Sequence, residues 1–299
     1  MVNYSVIIPH SNIPNLLSIC IASIPEREDI EVIVVDNSTY SFELTACAPN
    51  RTNVHFFLSS PKRGAGGARN EGILHAQGKW LLFCDADDYF VPNAFSIFDT
   101  YLQAEEDVIF FNATSVSLDS FDKCDRHLFL SQNIDNYFVS LNSNNLRYHV
   151  NVPWGKMIKS SLVKDDNIFF DEVVVRNDVM FSLKVGIAAK DIFVDKSVVY
   201  CVTERKESLT QTKTIDTVCC DFWVRSRANW YLHRYGLRRY YSVLHDLAVL
   251  RRNNVSEYLG CLFHSIVFGD IFIDLRVWLG KRIRKISRYF FNVFSVIIF

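Results

Sequence analysis

The first third of the chain alternates short apolar runs with stretches of helical spacing. Tyr4-Ser5-Val6-Ile7-Ile8 is a β-rich run, and the pattern predicts that Pro9 stops it. Leu16, Leu17, Cys20, Ile21 and Ile24 are then spaced for one face of a helix ended by Pro25. Glu31–Val35 and Val54–Leu58 read as the second and third strands, the second closed by Asp36-Asn37-Ser38. A glycine-rich segment opens a helix expected over Asn70–Ala76, and Lys79–Cys84 reads as the fourth strand. Strands that are nearly all apolar and alternate with helices predict a mostly parallel sheet covered on both faces.

The pattern is harder to assign further on. Val108–Phe111 reads as a strand, and residues 131–151 are rich in Asn and Ser. From about residue 216, Trp223, Arg227, Trp230, Tyr231 and Arg234 recur at helical spacing. The expected organisation is an α/β domain over 1–215, divided into halves at 115/116, followed by a helical region over 216–299. Near the end, Leu279, Ile283, Ile286, Phe290, Val293 and Ile297 mark one helical face, with five basic residues of 281–288 around it. That is the pattern of a helix lying on anionic lipid, with packing on the protein's own core or a dimer seam as alternatives. No run of about 18 apolar residues occurs, so a spanning helix is not expected.

Composition narrows the classes. With a net charge of −1, no global field points to nucleic acid. The eight cysteines include no C-x-x-C pair, so zinc spacing is absent, and the N-terminus shows no secretory pattern. These features suit a reducing, cytoplasmic protein. The sequence leaves the oligomeric state open.

In an open α/β sheet, ligands sit beyond the carboxyl ends of the strands. Pro9–Asn12, Asp36–Ser38, Arg63–Asn70 and Asp85–Asp88 therefore converge on one edge. The Asp85-Ala86-Asp87-Asp88 cluster fits either a divalent cation held against a diphosphate or a solvated turn capping a helix near Pro92-Asn93-Ala94. The glycines after Arg63 do not make a dinucleotide fingerprint, because the sixth position of the frame from Gly64 is Arg69. A loop that lets backbone and Arg69 approach a nucleotide fits better, beside the alternative of a flexible helix lead-in. Asp36 suits a nucleoside contact and an Asx-turn equally. Trp154 suits an acceptor sugar's apolar face or the core.

Taken together, these segments resemble the family 2 glycosyltransferases of the GT-A fold. The resemblance is carried by Val6-Ile7-Ile8-Pro9-x-x-Asn12, Val34-Val35-Asp36, Gly66-x-Ala68-Arg69-Asn70-x-Gly72, Ala76-x-Gly78-Lys79-Trp80 and Phe83-x-Asp85-Ala86-Asp87-Asp88. It continues through Trp154–Lys159, Arg176-Asn177-Asp178-x-x-Phe181 and Tyr200–Thr210. The resemblance implies that Pro9, His10, Asp36 and Arg69 line the nucleoside pocket and that Asp85 approaches the ribose. It further implies a metal, Mn²⁺ or Mg²⁺, on Asp87, a catalytic base in Asp178, and Arg205 and Ser208 near the diphosphate or acceptor. The sequence departs from the family pattern at Asn37, where a second aspartate is frequent, and at Asn177, where a glutamate is usual.

The implied reaction is inverting transfer of a hexose or N-acetylhexosamine from a UDP-sugar to a glycan or lipid-linked acceptor, in surface polysaccharide synthesis. The enzyme would sit at the inner face of the cell membrane. Two alternatives stand beside it. A nucleotidyltransferase would carry a glycine-rich loop after the first strand, where this chain reads Pro9-His10-Ser11-Asn12. A catalytically silent sugar-binding module would not need Asp85, Asp87 and Asp178 together.

Overall fold

A computed structural model describes residues 1–40, 43–120, 122–205, 214–238 and 241–270. The chain forms two compact units, Met1–Thr212 and Lys213–Phe299. In the first unit the described elements are β1 (Tyr4–His10), α1 (Pro14–Ala22), β2 (Ile30–Asp36), β3 (Val54–Leu58), α2 (Gly64–His75), β4 (Trp80–Phe83), β5 (Tyr89–Phe90) and α3 (Ala94–Asp99). They continue with β6 (Val108–Ser117), α4 (Leu128–Ser140), α5 (Asn144–Tyr148), β7 (Lys156–Lys159), α6 (Ser160–Asp165), α7 (Asn177–Ala188) and β8 (Ile192–Glu204).

The eight strands among the described residues join one sheet in the order β3-β2-β1-β4-β7-β6-β8-β5. The β3-β2-β1-β4 part is parallel, whereas β7 runs antiparallel to both neighbours and β5 antiparallel to β8. The sheet is therefore mixed. It also runs unbroken across residue 115, because β6 spans that position. β1, β2 and β4 are buried at every residue, which means that both of their faces are covered.

Two expectations are corrected here. Pro9 does not stop the first strand, which continues to His10. The Ile7 carbonyl accepts from the Cys84 N–H toward the β4 side, and Pro9, two residues on, turns its nitrogen the same way. β4 ends at Phe83, opposite Ile7, so the missing N–H of Pro9 breaks no ladder bond.

The second correction concerns the glycines. They lie inside α2, which begins at Gly64, and are not a loop leading into it. A Cβ on Gly66 would sit 2.0 Å from the Asp171 carbonyl oxygen, and one on Gly72 would sit 2.4 Å from Ile7 Cγ2. Bare backbone is thus what lets α2 press against β1 on one side and the 170–171 segment on the other. Asn70 locks the second contact: its side chain donates to the Phe170 carbonyl (3.0 Å) and accepts from the Phe170 N–H (2.7 Å).

The second unit contains α8 (Ile215–Arg234), α9 (Leu244–Asn253) and α10 (Val255–Val267). Thr214 and Thr217 form a reciprocal capping box at the head of α8. Val218, Phe222, Val243, Leu247, Leu250 and Cys261 make its core. Buried Asn229 donates to the Tyr241 carbonyl and to Asp270 while accepting from the Tyr241 N–H, which ties the start of the α9 segment to α8. No helix among the described residues is long and apolar enough to cross a membrane. Residues 279–299 lie outside the described set.

Gly66→Ala should lower the unfolding free energy by about 2 kcal/mol, since its methyl group meets backbone that has no rotamer to yield. Thermal unfolding checks this: a melting temperature within a degree of wild type would contradict the close-contact role.

Candidate active site

The carboxyl ends of β1, β2 and β4 bring three of the polar segments together. At the end of β1, His10 is 1% exposed and both of its ring nitrogens are engaged. Nε2 accepts from the Ile13 N–H (3.1 Å), so Nδ1 carries the proton and donates to Asp36 Oδ1 (2.7 Å). The Ser38 N–H and hydroxyl converge on that same oxygen. Asp36 is thereby oriented by three donors on Oδ1, and no hydrogen bond to its Oδ2 is made among the described residues. His10 is the residue that aims Asp36; with 1% exposure it presents no surface of its own. Pro9 is likewise buried.

Arg69, on α2, is the centre of the second cluster. Its Nη2 donates to Asp85 Oδ1 (2.5 Å) and its Nη1 to Asn177 Oδ1 (2.7 Å). The guanidinium also lies 5.2 Å from the Phe170 ring centroid. Asn177 opens α7, and Asp178 is in its first turn. One buried cation therefore fastens the aspartate after β4 to the helix head bearing Asp178. Arg69 Nε is buried with no hydrogen-bond partner among the described residues. Such a donor costs about 1–3 kcal/mol unless a ligand oxygen or water accepts from it.

Asp178 is half-buried, and desolvation pushes its carboxyl above the usual carboxylate range. Arg69 opposes that push, while the negative charge of Asp85 adds to it. Buried Lys156 lies within electrostatic reach of Asp178, and its ammonium donates to the Val150 carbonyl (2.9 Å). Burial lowers its pKa to about 7, and Asp178 offsets part of that loss.

The aspartates of 85–88 do not cap α3. Asn93 stands at that N-cap in a left-handed conformation and makes no side-chain cap bond. They play three separate parts. Asp88 is buried and accepts from the Tyr200 hydroxyl (2.8 Å) and the Thr203 N–H (2.7 Å). Tyr200 in turn accepts from the Asp85 N–H (3.0 Å), so one phenol fixes both ends of the turn. Asp87 is 21% exposed and pairs with Arg205 (3.0 Å). Burial raises its pKa first and the neighbouring charge of Asp85 raises it further, against the lowering by Arg205.

No three His, Cys, Asp or Glu side chains among the described residues form a metal cage. Mg²⁺ or Mn²⁺ at a phosphate site needs only one or two carboxylates, the rest coming from phosphate and water. Asp87 and Asp85 fit that donor set, being hard oxygen ligands that are part-exposed and repel each other.

Trp154 is 7% exposed and stacks on Tyr200 at 5.2 Å between centroids, so packing already covers one of its faces. An open platform for an acceptor sugar is not what it offers. Ser208 lies outside the described residues. Tyr200, Thr203, Lys156 and Phe170 are participants that the pattern of the sequence did not single out. Tyr200 and Thr203 stood inside a motif already noted, but their tie to residues 85–88 depends on β8 passing beside that turn.

The glycosyl transferase family 2 profile matches residues 5–166, more than half of the chain. This chain is a family 2 glycosyltransferase. It is 24% identical over 224 residues to the poly(ribitol-phosphate) β-N-acetylglucosaminyltransferase TarS of Staphylococcus aureus, covering 70% of this chain and 37% of that protein. It is 26% identical over 204 residues to the poly(ribitol-phosphate) β-glucosyltransferase of Bacillus spizizenii, covering 64% and 30%. The chain thus spans about a third of the length of these relatives.

The fold is shared with TarS 1–349 in complex with UDP-GlcNAc, with a TM-score of 0.63, 22% identity, and 87% and 72% of the two chains covered. A mannosyltransferase of Pyrobaculum calidifontis, in complex with GDP-Man and Mn²⁺, gives a TM-score of 0.55 at 15% identity over 94% and 80%. The glycosyltransferase therefore has a GT-A-type fold with a helical C-terminal region.

Tyr200→Phe should leave Asp88 Oδ2 buried without its donor and cost about 1–3 kcal/mol. Urea unfolding measures the loss. Nucleotide binding by calorimetry should weaken with it, because the Asp85 N–H loses its acceptor. Unchanged values in both would exclude the linchpin role of the phenol.

Proposed function

We propose that this family 2 glycosyltransferase moves a hexose or N-acetylhexosamine from a UDP-sugar to a hydroxyl of a glycan or polyol-phosphate polymer, with inversion. The observation that carries the reading is the Arg69 bridge, which holds Asp85 and the head of α7 in one cluster. The UDP donor is supported by the UDP-GlcNAc complex of TarS and by the free oxygen of Asp36, suited to a nucleobase N–H. The polymer acceptor is supported by the two poly(ribitol-phosphate) transferases. They also support a role in polymer glycosylation, which this reading takes to be surface polysaccharide synthesis. No glycine-rich loop follows β1, which disfavours a nucleotidyltransferase, and family membership supports a transferase over a silent module.

In this reading Asp178 accepts the proton of the acceptor hydroxyl as its oxygen bonds to the anomeric carbon. The bond from that carbon to the diphosphate breaks, and UDP departs with the electron pair. General-base help of this kind is typically worth about 10²–10⁴-fold. The raised pKa of Asp178 makes it a better base than an exposed carboxylate, at the cost of an acid limb shifted to higher pH. Asp85 faces the ribose, held there by Arg69 and the Tyr200 hydroxyl. Asp87 would hold Mg²⁺ or Mn²⁺, which when bound supplies positive charge to the leaving diphosphate. Arg205 and the N–H of Arg69 that has no partner among the described residues add donors for phosphate oxygens, and Ser208 keeps the acceptor or diphosphate role that the family resemblance implies.

The basic and apolar segment 279–299 would attach the enzyme to anionic lipid at the inner face of the membrane. Chains lacking 279–299 should sediment less with anionic liposomes; equal sedimentation contradicts that attachment.

Asp178→Asn should lower kcat by at least about 10²-fold with UDP-sugar binding retained. Asp87→Ala should instead abolish metal-dependent UDP binding in calorimetry. Wild-type turnover in the first variant, or wild-type metal-dependent binding in the second, overturns the corresponding assignment.

A further inference from the structure

Helix α10 is apolar on two sides, and among the described residues only one is packed. Cys261 and Ser265 are buried, and Tyr258 and Leu262 pack on the core of the helical unit. Val255, Leu259, Phe263, Ile266 and Val267 lie on the other side and are 51–70% exposed. At about 100° per residue, those five fall within an arc of about 120°. Beside this stripe, Trp223 and Trp230 of α8, each nearly half exposed, line with Arg227, His264 and Phe268 a cleft of about 210 Å³.

Charge is divided as unevenly as polarity. Lys213–Phe299 contains fourteen Lys and Arg against six Asp and Glu, whereas Met1–Thr212 contains eighteen against twenty-seven. A second copy brought against the stripe would set two strongly cationic units face to face. An anionic bilayer reverses that sign. It attracts the helical unit and repels the catalytic one, while its acyl boundary accepts Leu, Phe and Ile, and its headgroup level suits Trp.

We propose that the outer face of α10, with the rim formed by Trp223 and Trp230, is a docking surface for anionic lipid bilayers. It is separate from any attachment through 279–299 and does not rest on the donor or acceptor chosen above. Docking there engages the helical unit, whose excess of basic residues matches the sign of the surface.

The test is co-sedimentation of the full chain with vesicles of phosphatidylglycerol and phosphatidylcholine in about equal parts, and with phosphatidylcholine alone. The wild type should bind the anionic vesicles preferentially. Leu259→Glu combined with Phe263→Glu should cut that partitioning at least tenfold, with helical circular dichroism and UDP binding unchanged. Phe263→Ser, which removes one exposed ring without adding charge, should give an intermediate loss. Unaltered partitioning of both variants overturns the proposal, even where removal of 279–299 abolishes binding. A wild-type oligomer that the double variant converts to monomer in analytical ultracentrifugation, without loss of vesicle binding, also overturns it and assigns the face to a second copy.

Discussion

The first compact unit depends on one buried cation. Arg69 is 6% exposed, and its guanidinium reaches Asp85 at the end of the parallel strands and Asn177 at the head of α7. Those two positions are 92 residues apart in sequence, and no single strand or helix joins them. A desolvated arginine is stable only where planar, charge-assisted bonds replace its water. The need to satisfy Arg69 and the need to place Asp178 near Asp85 are therefore met by the same geometry. The Nε of Arg69 is buried without a hydrogen-bond partner among the described residues.

Around that cation the negative charge is graded by solvent access. Asp88 is sealed in and held by Tyr200 and Thr203, which makes it structural. Asp85 and Asp87 keep part of their surface and carry arginine partners, Arg69 and Arg205, that leave carboxylate oxygens for other uses. The density of acid after an apolar strand is thus divided between a sealed carboxylate that holds the turn and two part-exposed ones paired with arginine. The strand can be buried because the turn that follows it is tied from β8.

Glycine acts here through close approach. Gly66 and Gly72 lie on different faces of α2, about 120° apart, where a methyl group would strike the Asp171 carbonyl or Ile7. That compression carries Arg69, three residues beyond Gly66, toward the 170–178 segment. Asn70 completes it by replacing a missing backbone partner for Phe170. A flexible phosphate loop would have left Arg69 free to move; a helix packed this closely does not.

The sequence by itself determined the parallel half of the sheet, the edge where polar segments gather, and the family. The causes are local: β1, β2 and β4 are buried on both faces and so are written as unbroken apolar runs. Tertiary structure decided what no run of neighbours encodes. It carried β1 through Pro9, because β4 had already ended, and it turned a glycine-rich loop into a packed helix. It made His10 a support for Asp36, stacked Trp154 against Tyr200, and gave Asp88 a partner 112 residues away. Each of these depends on which segment arrives opposite, and that is set by packing and the pairing of charge across the fold.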